Sequence, residues 1–468
     1  MKFADMKDSF KEFWAEFSKE KTGVIGLILF ALFVFIVVFE PVLLPFEDAN
    51  DRWRDITYWA DNPKSAPPVW TNWFSSKKKA TTESYYDYTT AEEDLGGMKV
   101  VEYTFDYDYQ FDEAPNDIIL HMDVTGAPMI VVKVVRPDGE EVEVYYGSFN
   151  AGNNTKDFRL SVDNNSRDIL YNFAVPFENR ESLKDVKAGL IKTTDTLFAK
   201  AEEGILRSPV SLKGDYKIVI QSIFMGENDN VESPYLIMPG KVSGVLGTDS
   251  SKRDVWTGVL AGVKWALLIG ILTAIVSVSV GVVYGVISAY LGGWKDAVMQ
   301  RVFEIFVSVP LLPVLIVMSA IFEPSIWTMI GMMVLFFWTG SVKTVRSMAL
   351  QIKEETYIEA SKALGASNFR IIFKHMVPLL IPYSFSSMAL FIPRAVVYEA
   401  TISLLGLGDA QIVTWGQILS DALSGGAVMS GLWWWVVPPG LSIAFMGMAF
   451  AFIGFSLDKI LHPKLRTR

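Results

Sequence analysis

Six long apolar runs dominate the chain, at 22–46, 258–291, 298–322, 326–350, 377–405 and 431–457. Each reaches the ~20 residues that a helix needs to cross a bilayer. They predict six transmembrane helices. Ahead of the first run, Phe3, Met6, Phe10, Phe13, Trp14 and Phe17 recur at helical spacing among charged residues. That pattern predicts an amphipathic helix over 1–21 lying on the membrane surface and setting the entry of the first span. From residue 99 the apolar period falls to two, in KVVEYTFDYDYQF, IILHMDV, MIVVKVV and EVEVYYG, and later in DFRLSV, ILYNFAV and GDYKIVIQSIF. These read as strands, and RPDGEE between two of them carries hairpin chemistry in Pro137, Asp138 and Gly139. Between them, 180–203 places Leu183, Val186, Leu190, Ile191, Leu197 and Phe198 on one helical face. The pattern therefore predicts an α-helical membrane protein with a β-rich, sandwich-like domain and a helical insertion set between spans one and two.

Charge divides the chain in the same way. Residues 47–250 hold 35 Asp+Glu and 21 Lys+Arg, a net of −14, while the remainder holds 17 and 21, a net of +4. Basic residues near spans favour the cytoplasm. Five lysines lie in the first 21 residues, six Lys/Arg between Lys343 and Lys374, and four from Lys459 onward. Six spans put all three groups on one side, so both termini are expected inside and 47–243 outside. The chain has no cysteine, so disulfides, thiolate metal sites and thiol catalysis are excluded. The apolar run at 22–46 is longer than the core of a cleavable signal and reads as a retained span.

Several local features have modest readings. Trp53, Tyr58, Trp59, Trp70, Trp73 and Phe74 cluster in the irregular lead-in at 47–98. Aromatics near a membrane commonly sit at its interface, and a sugar-stacking platform is the lesser alternative. Asp106, Asp108 and Asp112 alternate with aromatics, but Phe111 stands where a calcium loop wants glycine, so a solvated acidic strand face is preferred. Asn153-Asn154-Thr155 and Asn164-Asn165-Ser166 are glycosylation sequons of a kind common by chance.

Residues 356–378, TYIEASKALGASNFRIIFKHMVP, form a polar interruption between two spans. Tyr357, Ala360, Ala363 and Leu364 share one helical face, with Glu359 and Lys362 off it. Gly365 permits a left-handed exit, and Ser367 can cap a second helix. Taken alone, these residues favour a plain connector.

With its neighbours the stretch says more. LGTD…RDV at 246–255, YLGGWKD at 290–296, YEATISLLGLGDAQIVTWGQIL and WWWVVPPGLSI occur in order. Over 23–46 and 244–468 the chain resembles C-type permease subunits of the dipeptide, oligopeptide and nickel importers of the ATP-binding-cassette class. The family's cytoplasmic signature is matched by Glu359, Ala360, Ser361, Gly365 and Pro378, with Ser361 replacing a second alanine. His375 stands where the broader family has isoleucine and the peptide branch often has histidine.

The resemblance implies a type I importer fold, with a permease core over 244–468 and a coupling segment at 351–376 that includes Ala363 and Leu364. It implies a homologous B-type permease, two ATP-binding-cassette ATPase subunits and an extracellular substrate-binding protein as partners, besides membrane lipid and without nucleic acid. ATP and magnesium would belong to the ATPases, since no G-x-x-x-x-G-K-[ST] loop occurs on this chain. No catalytic residue and no metal site is expected here. Peptide is the first expectation for cargo, an oligosaccharide such as a cellodextrin the second, and nickel the third. A membrane receptor or adhesin is the rival from another class, and it has no use for a coupling segment.

Ionisable residues inside spans raise functional hypotheses. Glu304, Arg394 and Glu399 are the candidates. An intramembrane network is preferred, in which an acid on one helix satisfies Arg394 on another. The sharper alternative puts Arg394 on the pathway, facing a peptide carboxylate. Pro310, Pro313, Pro393 and Pro438 are expected to kink or end helices.

Overall fold

The computed structural model describes residues 13–94, 98–148, 151–179, 183–184, 186–226 and 228–461, with 151–156 described by backbone alone. The chain forms two compact units, one of residues 1–54 and 257–468, the other Asp55–Trp256.

The first unit is helical. Its principal helices are α1 (Lys21–Val38), α2 (Val255–Leu291), α3 (Gly293–Ser308), α4 (Leu311–Ile321), α5 (Ile326–Phe337), α6 (Thr339–Lys353), α7 (Thr356–Ala363), α8 (Ile381–Leu404), α9 (Trp415–Ser424) and α10 (Trp433–Leu461). Among the described residues, five helical stretches are long and apolar enough to cross a membrane: α1, α2, Ile326–Lys353, Asn368–Leu404 and α10 up to Ile460.

The apolar run at 298–322 is not one straight helix. α3 and α4 meet at 79°, so this predicted span is either one broken span, which would make six, or a re-entrant loop, which leaves five. Val309 is extended (φ −76°, ψ 126°) ahead of Pro310, whose ring disfavours helical geometry in the residue before it. Hydropathy registers the apolar run and is blind to this break.

Close approach fixes several helix pairs. A Cβ on Gly26 would lie 2.7 Å from the Ala449 carbonyl, and one on Gly23 2.6 Å from Ser456 Oγ, so α1 lies against α10 through bare backbone. Lys459 Nζ reaches Glu20 Oε1 at 2.6 Å at one end of that pair. Lys264 on α2 donates to Glu40 at 2.6 Å. Residues 13–17 are helical and carry Phe13, Trp14 and Phe17, while Phe3, Met6 and Phe10 lie outside the described residues.

The second unit is a β-sandwich. A four-stranded sheet runs β1-β9-β4-β7 and a five-stranded sheet β2-β3-β8-β5-β6. The strands are β1 (Glu83–Tyr85), β2 (Thr89–Asp94), β3 (Lys99–Tyr109), β4 (Ile119–Gly126), β5 (Met129–Val135), β6 (Glu141–Ser148), β7 (Ala151–Arg159), β8 (Gly214–Phe224) and β9 (Asn230–Met238), all antiparallel in their pairings. Tyr103, Phe105, Tyr107 and Tyr109 of β3 share one buried cluster with Leu120 and Met122 of β4, so both sheets face a single core. Asp106 and Asp108 occupy the exposed face of β3, and Asp112 pairs with Lys213 at 2.7 Å.

The RPDGEE turn forms as predicted, with Gly139 at φ +86° and its N–H on the Arg136 carbonyl at 3.0 Å. Arg136 itself is buried and donates to the carbonyls of Leu197 and Ala199, a role its place in a turn does not advertise.

Two local predictions fail. ILYNFAV is not a strand. Its first six residues are the C-terminal part of a helix, Asn164–Ala174. Asp163 caps it by accepting the Ser166 N–H at 2.7 Å, and Ser166, Leu170 and Ala174 then turn one face inward at i, i+4, i+8. The predicted helix at 180–203 is not continuous among its described residues: Leu183 is helical, but Lys184 is a turn and 186–187 are irregular. Beyond it come a 3₁₀ turn at Ala188–Leu190 and a short helix at Thr193–Leu197. Gly189 sits near the middle of the predicted helix and favours the break, and Leu190 stays exposed. β1, β2 and β9 had no clear alternating signal.

In β7 the first sequon lies where side chains are not described, while Ser166 of the second is buried and donates to Asp163 at 2.8 Å.

Candidate functional site

The polar connector between α6 and α8 has an exposed face on a buried root. On α7 only Ile358 is buried, at 3% exposure, and it packs with Ile371, Met376 and Leu380 against Val345 of α6 and Val282 and Val286 of α2. Glu359, Ala360, Ala363 and Gly365 are exposed, Ser361 is half-buried, and Leu364 is 89% exposed. Ser361 Oγ donates to the Tyr357 carbonyl at 2.7 Å, so the hydroxyl that distinguishes it from alanine is absorbed within its own helix. Tyr357, Phe369 and Phe373 are likewise exposed, with the last two rings 4.5 Å apart. Such a surface is costly unless another protein covers it.

The end of α7 is built by backbone geometry. Gly365 stands at φ +82°, its N–H on the Lys362 carbonyl at 3.0 Å, and the Ala366 N–H reaches the Ser361 carbonyl at 3.1 Å. These are the paired bonds of a Schellman stop, which demands a left-handed residue at that point. Ser367 then accepts the Arg370 N–H at 3.3 Å and starts the next turn. Residues Ile371–Met376 are wound as a π-helix and Val377–Leu380 as 3₁₀ before α8 begins. Pro378 is exposed in that transition, where its missing N–H fits a change of hydrogen-bond register.

A groove of about 800 Å³ runs beside α7. Its lining includes Glu359, Lys362 and Ala363 together with Tyr290, Lys295 and Lys353. Tyr290 donates to Asn368 Oδ1 at 2.9 Å, and Lys353 Nζ reaches the Ala289 carbonyl at 3.3 Å.

Near the groove, Asp296 organises three helices. Arg346 of α6 donates through Nε at 2.9 Å and through a second guanidinium nitrogen, and Ser288 of α2 also donates to the same carboxylate. Gln300 donates to Ser288 at 2.9 Å. The YLGGWKD motif by itself gives its aspartate no task. Arg346, fifty positions away along the chain, supplies one.

The intramembrane candidates do not come together. Glu304 is exposed and pairs with Arg301, one turn away on α3, at 2.8 Å. Glu399 is 3% exposed and accepts from Ser403 at 2.7 Å. Around it, a Cβ on Gly416 would lie 2.6 Å from Ala400 Cα, so α9 approaches α8 through glycine. Asp409 of the GLGD turn accepts the Ile326 N–H at 3.0 Å and so holds the start of α5.

Arg394 is exposed. Its guanidinium carbon lies 5.2 Å from the ring centroid of Phe337, 5.8 Å from Tyr398 and 6.0 Å from Phe391. Among the described residues no carboxylate pairs with it. Among the described residues the expected acid on another helix is therefore not found, and Glu304 and Glu399 are each committed locally. Lys264 and Glu40 form a pair that no local pattern announces. Asn50, equally unannounced, accepts from both Trp265 Nε1 at 3.1 Å and the Val413 N–H at 3.0 Å.

Residues 281–467 match the family model described as binding-protein-dependent transport system inner membrane component. Residues 9–68 match that of the N-terminal TM domain of oligopeptide transport permease C. The chain is 35% identical over 230 residues to the dipeptide transport system permease protein DppC of Bacillus subtilis (strain 168), covering 49% of this chain and 71% of the relative. It is 34% identical over 222 residues to the oligopeptide transport system permease protein OppC of the same organism, covering 47% and 72%. Among solved structures it is similar to a chain of an inward-facing MetNI methionine ABC transporter, at 18% identity and a TM-score of 0.34, over 45% of this chain and 97% of that one.

Proposed function

As the chain belongs to the family of binding-protein-dependent inner-membrane transport components, among its dipeptide and oligopeptide C-type permeases, we propose that it is the membrane-spanning permease subunit of an ATP-driven peptide importer. The family is one of transport permeases, so the chain is not itself an enzyme. It is a multi-pass protein of the cell membrane. It forms half of the translocation pathway, and a homologous B-type permease forms the other half. Two ATPase subunits carry ATP and magnesium, and a separate binding protein delivers the peptide. The N- and C-termini and the connector at 351–376 lie in the cytoplasm, and the sandwich lies outside.

The observation that carries the coupling role is the exposed face of α7 on its buried Ile358 root. Glu359, Ala360, Ser361, Ala363, Leu364 and Gly365 form the contact offered to an ATPase, and Pro378 sets the stiff link into α8. Force applied at α7 passes through Ile358 and Ile371 into the packing of α2 and α6. Closure of the ATPase pair then shifts a two-state permease between inward- and outward-facing forms.

The test is a double variant, Glu359→Lys with Gly365→Pro, assembled with its partners in proteoliposomes. ATP hydrolysis should persist while peptide uptake falls to background. Normal uptake would refute the assignment. A binding assay on the cognate binding protein, offering peptides against cellodextrins, tests the cargo. No observation favours the oligosaccharide, nickel or receptor readings.

Arg394 belongs to the same proposal. A cation facing lipid at mid-membrane costs ~2.5–3.5 kcal/mol or more, and three aromatic faces offset only part of that. The favourable occupant is a peptide carboxylate on the pathway. Arg394→Ala should raise the KM for free-acid peptides more than for their C-terminal amides. Equal effects on both would remove Arg394 from recognition.

A further inference from the structure

The aromatic cluster in the lead-in to the sandwich divides into two kinds. Trp59 is buried, and Trp70 is tied by its indole N–H to the Val245 carbonyl at 2.9 Å. Trp73 and Phe74 are 81% and 82% exposed, side by side at the end of the 3₁₀ turn Val69–Trp73. They open a loop whose base is closed by one side chain. Asn72 donates to the Lys79 carbonyl at 2.9 Å and accepts the Lys79 N–H at 3.1 Å, and Asp112 accepts the Lys78 N–H at 2.8 Å and donates its own N–H to the Lys78 carbonyl at 2.7 Å, so residues 73–77 stand out from a fixed neck that ends at Lys78. Lys77 and Lys78, both exposed, follow the two aromatics. Such a pair of cations is out of keeping with a block of net charge −14.

The position of the loop along the chain matters as much as its composition. The segment entering the sandwich and the segment leaving it are laced together beside the loop. Ser243 N–H bonds the Pro67 carbonyl at 2.9 Å, Val69 N–H the Gly244 carbonyl at 3.1 Å, and Thr248 N–H the Ala66 carbonyl at 2.8 Å. Asp249 is buried and accepts from Arg253 Nε at 2.6 Å and from the Arg253 N–H at 2.8 Å, which fixes the exit turn. The helix α2 starts at Val255, ten residues beyond Val245. Ten residues of chain reach at most ~33–36 Å. The turn that Asp249 closes with Arg253 shortens that reach.

We propose that the loop 73–77, with Lys78 at its neck, is a lipid anchor: Trp73 and Phe74 enter the headgroup region of the leaflet on the sandwich's side, and Lys77 and Lys78 bind anionic phospholipid headgroups. Trp and Phe favour that boundary, and lysines beside an anionic surface add attraction that salt screens. Docking of a soluble binding protein would use the aromatics equally well. The loop's short tether to α2 and its paired cations favour lipid. The inference needs the chain to span a membrane and does not depend on what is transported.

The native chain lacks cysteine, so one introduced thiol is unique. Ser76→Cys places it in the loop at an exposed position and leaves both aromatics and both lysines in place. The full chain, labelled there with bimane, is placed in phosphatidylcholine nanodiscs with and without phosphatidylglycerol, carrying a headgroup-level nitroxide lipid. The expected result is loss of most of the emission to the nitroxide, stronger with phosphatidylglycerol. Trp73→Ala with Phe74→Ala in the same background should restore emission. Lys77→Glu with Lys78→Glu should abolish the phosphatidylglycerol dependence, as should high salt. A label indifferent to the nitroxide lipid overturns the proposal, whether or not the binding protein shields it. Quenching that persists in both double variants overturns it too.

Discussion

Gly365→Ala isolates the backbone requirement of the coupling segment. The residue stands at φ +82°, and a Cβ added there would meet no atom within 4 Å. Steric clash with neighbouring elements therefore contributes nothing. The cost is that of holding an L-residue left-handed, ~1–2 kcal/mol. A difference of ~1.4 kcal/mol is about tenfold in an equilibrium. Two hydrogen bonds close the turn, from Gly365 to Lys362 and from Ala366 to Ser361. Alanine should raise the frayed fraction of that turn roughly 5–30-fold, the range set by the same energies. Asparagine, which tolerates the left-handed region, should cost less than alanine although it is larger.

Hydrogen exchange of the peptide containing Gly365 and Ala366 measures the fraying directly in the assembled transporter. Peptide uptake per ATP hydrolysed measures its consequence. Both should rank glycine, then asparagine, then alanine. If alanine matches the native protein in exchange, or asparagine is the worse of the two, the backbone argument is wrong. If exchange changes as expected while coupling stays intact, the turn is real but α7 is not the coupling surface.

Three further outcomes concern other parts of the molecule. Arg346→Lys should lower the thermal stability of the purified chain by the equivalent of ~1–3 kcal/mol, because an ammonium cannot reproduce the forked contact with Asp296, and Asp296→Asn should do the same. Gly26→Val should separate α1 from α10 at a cost of ~1–3 kcal/mol, read as a lower melting temperature, whereas Gly331→Val, where an added Cβ meets nothing within 4 Å, should not. In the sandwich, burial alone would lower the His121 pKa, but the carboxylates of Asp61 at 3.1 Å and Asp157 at 2.5 Å outweigh it and hold the imidazole above its ordinary 6.5. A raised value in the folded state means that this stabilisation is complete below 6.5 and lost as pH rises through the folded-state value. Exchange-protected amides of β4 should accordingly open more readily in mildly alkaline than in mildly acidic buffer, after correction for intrinsic rates, and His121→Gln should flatten that difference.

Much of the architecture was legible because the signals are local. Apolar runs of spanning length need no partner to be recognised, and neither does the alternation of Tyr103, Phe105, Tyr107 and Tyr109 that made β3 readable. Pro137, Asp138 and Gly139 carried their turn in three consecutive residues, and Gly365 and Ser367 carried a helix stop and a helix start. ILYNFAV was misread because a short apolar run has no period of its own. Asp163, a residue outside the run, decided for helix by capping it.

What the sequence determined by itself, then, is the class of element and the order of motifs, since these depend on residues within a few positions of one another. Only the tertiary structure decided which charges meet. It gave Asp296 to Arg346 and Glu40 to Lys264, and it left Arg394 over three aromatic rings without an acid among the described residues. It also separated Trp59 inside the sandwich unit from Trp73 and Phe74 at its surface. Partner choice and burial are set by groups brought together from distant parts of the chain, and no local period encodes them.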